Sequence, residues 1–107
     1  MISFDEFQKL DIRIGTIVSA EPLAGSERLL QLAVDIGEDS PRQIIAGIAA
    51  FTAPETLVGA QCPFVVNLEP RMIRGLESQG MLLAIDAGDG FAFLHPSRAV
   101  PAGSRAR

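Results

Sequence analysis

Two arginines and three amide or hydroxyl side chains stand close together between two apolar runs. The stretch from Val65 to Ile85, VVNLEPRMIRGLESQGMLLAI, holds Asn67, Arg71, Arg74, Ser78 and Gln79, with Glu69 and Glu77 among them. Pro70, Gly75 and Gly80 bend the backbone there and stop either flanking run from continuing, so the stretch reads as a polar loop between two strands. Guanidinium and amide groups three or four residues apart present planar, multi-donor hydrogen bonding suited to phosphates or base edges. On chemistry alone the same stretch reads equally well as a solvated connection whose two arginines neutralise its two glutamates.

Other chemistry finds little support. His95 is the only histidine and Cys62 the only cysteine, so neither a zinc set nor a Cys–His nucleophile–base system can be assembled. Cys62, at the start of an apolar strand, reads as a small buried hydrophobe, and His95 before Pro96 as a hydrogen-bonded or surface residue. The carboxylates Asp35, Glu38 and Asp39, and Asp86 with Asp89, fall in turns and lack the spacing of calcium or glycosidase sites. No phosphate-cradling glycine motif occurs. Trp and Tyr are absent and the phenylalanines are expected in the core, so no base-stacking platform is expected. The chain is therefore expected to be no enzyme and to need no metal or cofactor.

These residues must be positioned by about one domain. The 107 residues can bury a single core, and 48% apolar with 21% charged residues fits a folded protein. A mean hydropathy of +0.28 is high for so small a chain, and the apolar excess suggests an interface, most simply a homodimer. The net charge of −4 argues against attraction to nucleic acid over the whole surface. Charge is uneven, however: residues 1–40 carry three cations against eight carboxylates, whereas residues 41–107 carry six arginines against five. Any polyanion-binding face must be local. A lone cysteine, acidic residues interrupting the N-terminus and the lack of a membrane-length apolar run lead us to expect a soluble cytoplasmic protein.

Ser3 and Glu6 match a capping box, and Phe4, Phe7 and Leu10 suit the inner side of a short helix expected to plug one end of the core. From Ile12 the pattern becomes β-rich, with Gly15 as a candidate bulge. Leu30, Leu32, Val34 and Ile36 alternate with polar or small residues, predicting a strand with one buried face. Further strands are expected over 42–48, 61–68 and 80–85, with a short Pro-initiated helix near Pro54. Gly88-Asp89-Gly90 should turn strand 80–85 into a hairpin with Phe91–Leu94. The last dozen residues should be extended and irregular, and Leu94–Val100 is expected to form part of a dimer seam. Short strands without room for parallel crossovers predict an all-β, mostly antiparallel barrel, and an OB-fold fits the order best.

The ordered segments FDEFQKLDIRIGTIVSAE, RLLQLAVDIG, RQIIAGI, PETLVG, NLEPRMIRGLESQGMLLAI and FLHPSRAVPAGSRAR together resemble the stand-alone tRNA-binding domain family. That family includes the structure-specific tRNA-binding proteins, the C-terminal or β-chain domain of methionyl-tRNA synthetase, and the CsaA proteins. The resemblance implies an OB-fold five-stranded barrel over about residues 11–86 with a C-terminal extension over about 87–107 used for dimerisation. It further implies a single domain over 1–107 that recognises the outside of tRNA without catalysis, as a homodimer or in trans with a synthetase such as methionyl-tRNA synthetase.

Carried over residue by residue, the resemblance places tRNA binding on Asn67, Arg71, Arg74, Ser78 and Gln79, with Arg28 and Arg42 at positions nearer the barrel face. Arg13 reads equally as a structural arginine paired with an acidic neighbour. The alternative within the family is a CsaA-like chaperone dimer that binds unfolded peptide or preprotein, although the ESQGM form at Glu77–Met81 favours tRNA. Ala49, Ala50 and Met72 stand where many relatives have lysines, so only about two to four phosphate contacts per chain, and a shallow salt dependence, are expected.

Overall fold

Strand β1 (Ile12–Pro22) is the element onto which the other strands of the computed structural model, which describes residues 1–107, are assembled. Its first half pairs antiparallel with β4 (Gln61–Val65) and its second half with β2 (Leu30–Asp35). The register with β2 slips between Ile17 and Ser19, leaving Val18 as an extra, exposed residue. One such residue bends a strand and tightens its twist, which lets a single strand serve both sides of a small barrel. The bulge expected at Gly15 thus lies at Val18. Gly15 has a packing role instead: a Cβ there would stand 2.4 Å from Val34 Cγ1 and 2.9 Å from Phe64 Cδ2.

β2 pairs with β3 (Arg42–Ala46) and β4 with β7 (Met81–Leu82), giving the order β3-β2-β1-β4-β7. The predicted alternation holds, since Leu30, Leu32, Val34 and Ile36 are all buried. With Ile17, Ile44 and Phe64 they form the centre of the core. This is the expected all-β architecture: a nearly closed, five-stranded antiparallel OB-like barrel with very little helix. A single 3-10 turn, Pro54–Thr56, occupies the place of the expected short helix between β3 and β4.

Several local expectations change. Helix α1 (Phe4–Gln8) has its capping box, Glu6 N–H donating to Ser3 Oγ at 3.1 Å, but buries none of its residues. Five residues cannot reach over a barrel end, so Phe4, Phe7 and Leu10 stay exposed. Of the six phenylalanines only Phe64 is buried, against the expectation that most would be core. The expected polar loop contains a two-stranded ribbon, β5 (Arg71–Ile73) with β6 (Leu76–Ser78). Expected strand 80–85 divides at Leu83, whose N–H donates to Pro63 O, so that β7 stays on β4 while β8 (Ala84–Asp86) leaves to form the predicted hairpin with β9 (Phe91–Phe93). The C-terminus ends in order, as β10 (Arg105–Ala106) pairs with Ile12 and Arg13 of β1. No helix is long and apolar enough to cross a membrane.

Candidate nucleic-acid interface

The β5–β6 ribbon turns in two residues. Its register pairs Arg71 with Ser78 and Ile73 with Leu76, leaving Arg74 and Gly75 at the tip with φ of 53° and 81°. Two consecutive left-handed residues make the primed turn that suits the twist of a two-stranded ribbon. Gly75 adopts this freely, whereas a non-glycine residue such as Arg74 is held there at a cost of about 1 kcal/mol. Arg74 Nη1 donates to Gly25 O at 3.3 Å, which ties the tip to the 23–29 loop. Arg71 and Ile73, two residues apart on one face, line a groove together with Leu29. The ribbon therefore lies beside the 23–29 loop that carries Arg28.

Three polar residues around this ribbon, Ser78, Gln79 and Asn67, bond within the fold. Ser78 is 4% exposed; its Oγ accepts from Ile45 N–H at 3.0 Å and donates to Gly80 O at 3.2 Å. Gln79 Oε1 accepts from Gln43 N–H at 3.0 Å, while Gln79 N–H donates to Gln43 O at 2.8 Å. Strand β3 is thus joined to the ribbon's far end, where no regular ladder forms, by one backbone bond and two side chains. Asn67 lies at the end of β4, accepting from Asp11 N–H at 2.8 Å and donating to Lys9 O at 2.6 Å. Both functional groups of its amide are occupied, and it fastens α1 to the barrel.

Arg42 is engaged on three sides. Its Nε and Nη2 form a bidentate pair with Glu38, each at 2.9 Å, and its Nη1 donates to Val66 O and Gln79 O. These bonds from Arg42 hold the Glu38 carboxyl below the usual glutamate range despite opposing desolvation. Arg13 likewise grips Asp11 with Nε at 2.9 Å and Nη2 at 3.1 Å, as the structural reading of Arg13 expects. Arg105 stands 3.9 Å from the same carboxylate. The Asp11 pKa is lowered chiefly by the Arg13 hydrogen bonds, against some desolvation. Arg28, Arg71 and Arg74 have no carboxylate within ion-pair distance.

Away from the ribbon, burial pushes the Cys62 thiol up to about 11, so it remains protonated at neutral pH. His95 Nδ1 lies 2.8 Å from Gln61 O, a contact that requires this nitrogen to carry a proton and donate. The Cys62 Sγ 3.8 Å away therefore faces a donor and not a base.

The family model described as "Putative tRNA binding domain" matches residues 12–105. The chain belongs to this tRNA-binding domain family. It is 53% identical over 103 residues to the methionine–tRNA ligase of Methanothrix thermoacetophila, covering 96% of this chain and 15% of that protein. It is also 53% identical over 93 residues to the corresponding ligase of Chlorobium chlorochromatii, covering 87% of this chain and 13% of that one. The chain thus spans about one seventh of these relatives. Among solved structures it resembles a MetRS-related protein from Pyrococcus horikoshii, with a TM-score of 0.93 and 37% identity over 100% of this chain and 98% of that one. The chaperone CsaA from Bacillus anthracis gives 0.88 and 33%, covering 100% and 99%.

In this tRNA-binding domain the residues not singled out from sequence are Gln31 and Gln43. Gln31 Nε2 donates to Gln43 Oε1 at 2.8 Å, and Gln43 Nε2 donates to Glu77 O at 2.9 Å, so a row of amides runs from β2 across β3 to β6. Gln31 carried a signal, as a polar position of the alternating strand β2, whereas Gln43 only precedes the continuous buried run Ile44–Ala46 of β3.

Proposed function

We propose that this chain is a noncatalytic module that binds tRNA by its shape, with Arg71 and Arg74 on the β5–β6 ribbon as the principal phosphate contacts and Arg28 beside them. The observation that carries this reading is that Arg71 and Arg74 share one short ribbon, tied to the loop that bears Arg28, and that none of the three has a carboxylate partner in a net-acidic protein. A guanidinium not already held by a carboxylate is available to a phosphate in bidentate geometry. Ser78, Gln79 and Arg42 act in the same site by fixing the ribbon and its approaches, and Asn67 by holding α1 to the end of β4, since their polar groups are already bonded within the fold. Three arginines neutralise about two to four phosphates per chain, which sets a shallow salt dependence.

Residues 1–107 act as one domain, and the module works as a homodimer or in trans with an aminoacyl-tRNA synthetase such as methionyl-tRNA synthetase. The dimer reading rests on Phe4, Phe7 and Leu10, an exposed apolar cluster next to β10 that a second copy would cover. The segment Leu94–Val100 is a second candidate for the seam, held to the barrel by two hydrogen bonds between the Val100 backbone and Gln61. Pairing of two copies would double the arginines and raise avidity without new contacts.

The competing reading, binding of unfolded peptide, draws on the similarity to a protein named chaperone CsaA. A competition titration separates the two: deacylated total tRNA, duplex DNA and an unfolded polypeptide are offered at two salt concentrations. Salt-sensitive preference for tRNA is expected. Retention of the polypeptide with no tRNA bound at low salt would overturn the proposal.

A further inference from the structure

Beside Arg71 lies an apolar groove of about 420 Å³, between the end of β3, the inner face of the β5–β6 ribbon and β7. Ile45, Ile48, Ile73, Met81 and Phe91 line it, and Arg71 is the only charged residue that does. Its volume lies within the range of about 300–1,000 Å³ typical of clefts that hold a ligand group. At one end Phe91 meets Phe51 edge to face, with ring centroids 5.2 Å apart and planes at 83°. Phe51 is 51% exposed, yet its position is restrained, since its ring also lies against Gly90, where a Cβ would come within 3.2 Å of Cδ1. An aromatic surface is therefore held in solvent beside an apolar slot, contrary to the expectation that no such platform exists.

We infer that this groove seats one unpaired nucleobase of the bound tRNA, with Phe91 as its aromatic wall, Phe51 extending that wall at the groove's end, and Arg71 on the adjoining phosphate. The inference rests on the tRNA-binding reading and names the part of the RNA that the ribbon grips. A nucleotide supplies an apolar π-face and a negative charge one bond system away, which is the combination this groove and its rim offer. An apolar peptide side chain would fill the slot and leave the Arg71 guanidinium without a partner. Apart from Arg71 the lining side chains contribute no hydrogen-bonding group, so any base is accepted and no sequence is read. That suits a protein that recognises an unpaired position by where it lies in a folded RNA.

The test uses the full chain with tRNA and with a short single-stranded RNA containing 2-aminopurine. Stacking should quench 2-aminopurine saturably in the unaltered protein, and Phe51→Ala should abolish the quench. The same change should weaken tRNA binding about tenfold, within the range for losing one base–aromatic stack, and leave the salt slope unchanged. Arg71→Ala should instead reduce that slope by about one. Met81→Gln, at a half-exposed floor position, should reproduce the Phe51→Ala loss and guard against a folding artefact. If Arg71→Ala weakens tRNA while Phe51→Ala and Met81→Gln leave both affinity and quench intact, the base seat is wrong and the tRNA reading stands. If no tRNA binds at low salt, both fall. If an unfolded polypeptide binds and is lost with Phe51→Ala, the groove is a peptide seat.

Discussion

The hydroxyl of Ser78 accepts the backbone N–H of Ile45 at 3.0 Å and so substitutes for a rung that strands β3 and β6 do not make with their backbones. The serine is buried, and the N–H it satisfies has no other partner in the barrel seam. Ser78→Ala should therefore cost about 1–3 kcal/mol, the penalty for stranding a buried donor. Denaturant unfolding measures it, and a variant within about 0.5 kcal/mol of the parent would show that water replaces the hydroxyl without loss.

At the ribbon tip, stability and binding should move in opposite directions. Arg74 sits at φ 53° ahead of Gly75, where asparagine is the better-suited residue. Arg74→Asn should raise stability by about 0.5–1 kcal/mol and weaken tRNA binding, a separation that thermal melts and filter binding would reveal. A variant both more stable and equally tight would remove Arg74 from the site.

Acid should loosen the attachment of β10 and α1 through Asp11. Its folded pKa lies below the ordinary value near 3.8, because Arg13 donates to its carboxylate. The stabilisation is complete above about pH 4 and is lost as pH falls through the lower folded value, as protonation ends the pairing. Asp11→Asn should flatten the stability curve below about pH 4 and leave its shape near neutrality unchanged. Glu38, held down by Arg42, should contribute in the same direction, starting from its own ordinary value of 4.5.

The exposed face of α1 predicts the oligomeric state. Phe4 is 70% exposed on a helix that buries nothing, and the replacement of Phe4 and Phe7 together by Ser should convert a dimer to monomer without lowering the melting temperature of the barrel. Light scattering decides it; an unchanged dimer would place the seam elsewhere.

What could be read from the chain follows from which forces are local. The Leu30–Ile36 alternation fixes β2 because period two puts four apolar residues on one face, whatever they meet. The Ser3–Glu6 capping box is legible for the same reason, since both partners lie within one helical turn. Ser78 and Gln79 look like ligand contacts in sequence because polar side chains near glycines read alike whether they face solvent or seal a barrel. Their partners, Ile45 and Gln43, are more than thirty positions away. The β5–β6 ribbon is hidden by its turn: Arg-Gly lacks the asparagine or aspartate that announces a two-residue hairpin. Phe4, Phe7 and Leu10 show that an apolar face needs covering, and periodicity does not say whether the cover is the same chain or another. Arg71 and Arg74 are close in sequence and share one ribbon, whereas the approach of the loop that carries Arg28 depends on the long-range tie between Arg74 and Gly25.

The central claim is that Arg71 and Arg74 grip tRNA phosphates, and the salt dependence of binding tests it most directly. Affinity for deacylated tRNA should be measured across a salt series for the parent and for the chain carrying both Arg71→Ala and Arg74→Ala. The parent should show a slope of about −2 to −4 in log K against log salt, reduced by about two in the double variant with a marked loss of affinity at low salt. Equal slopes and equal affinities in the two proteins would contradict it.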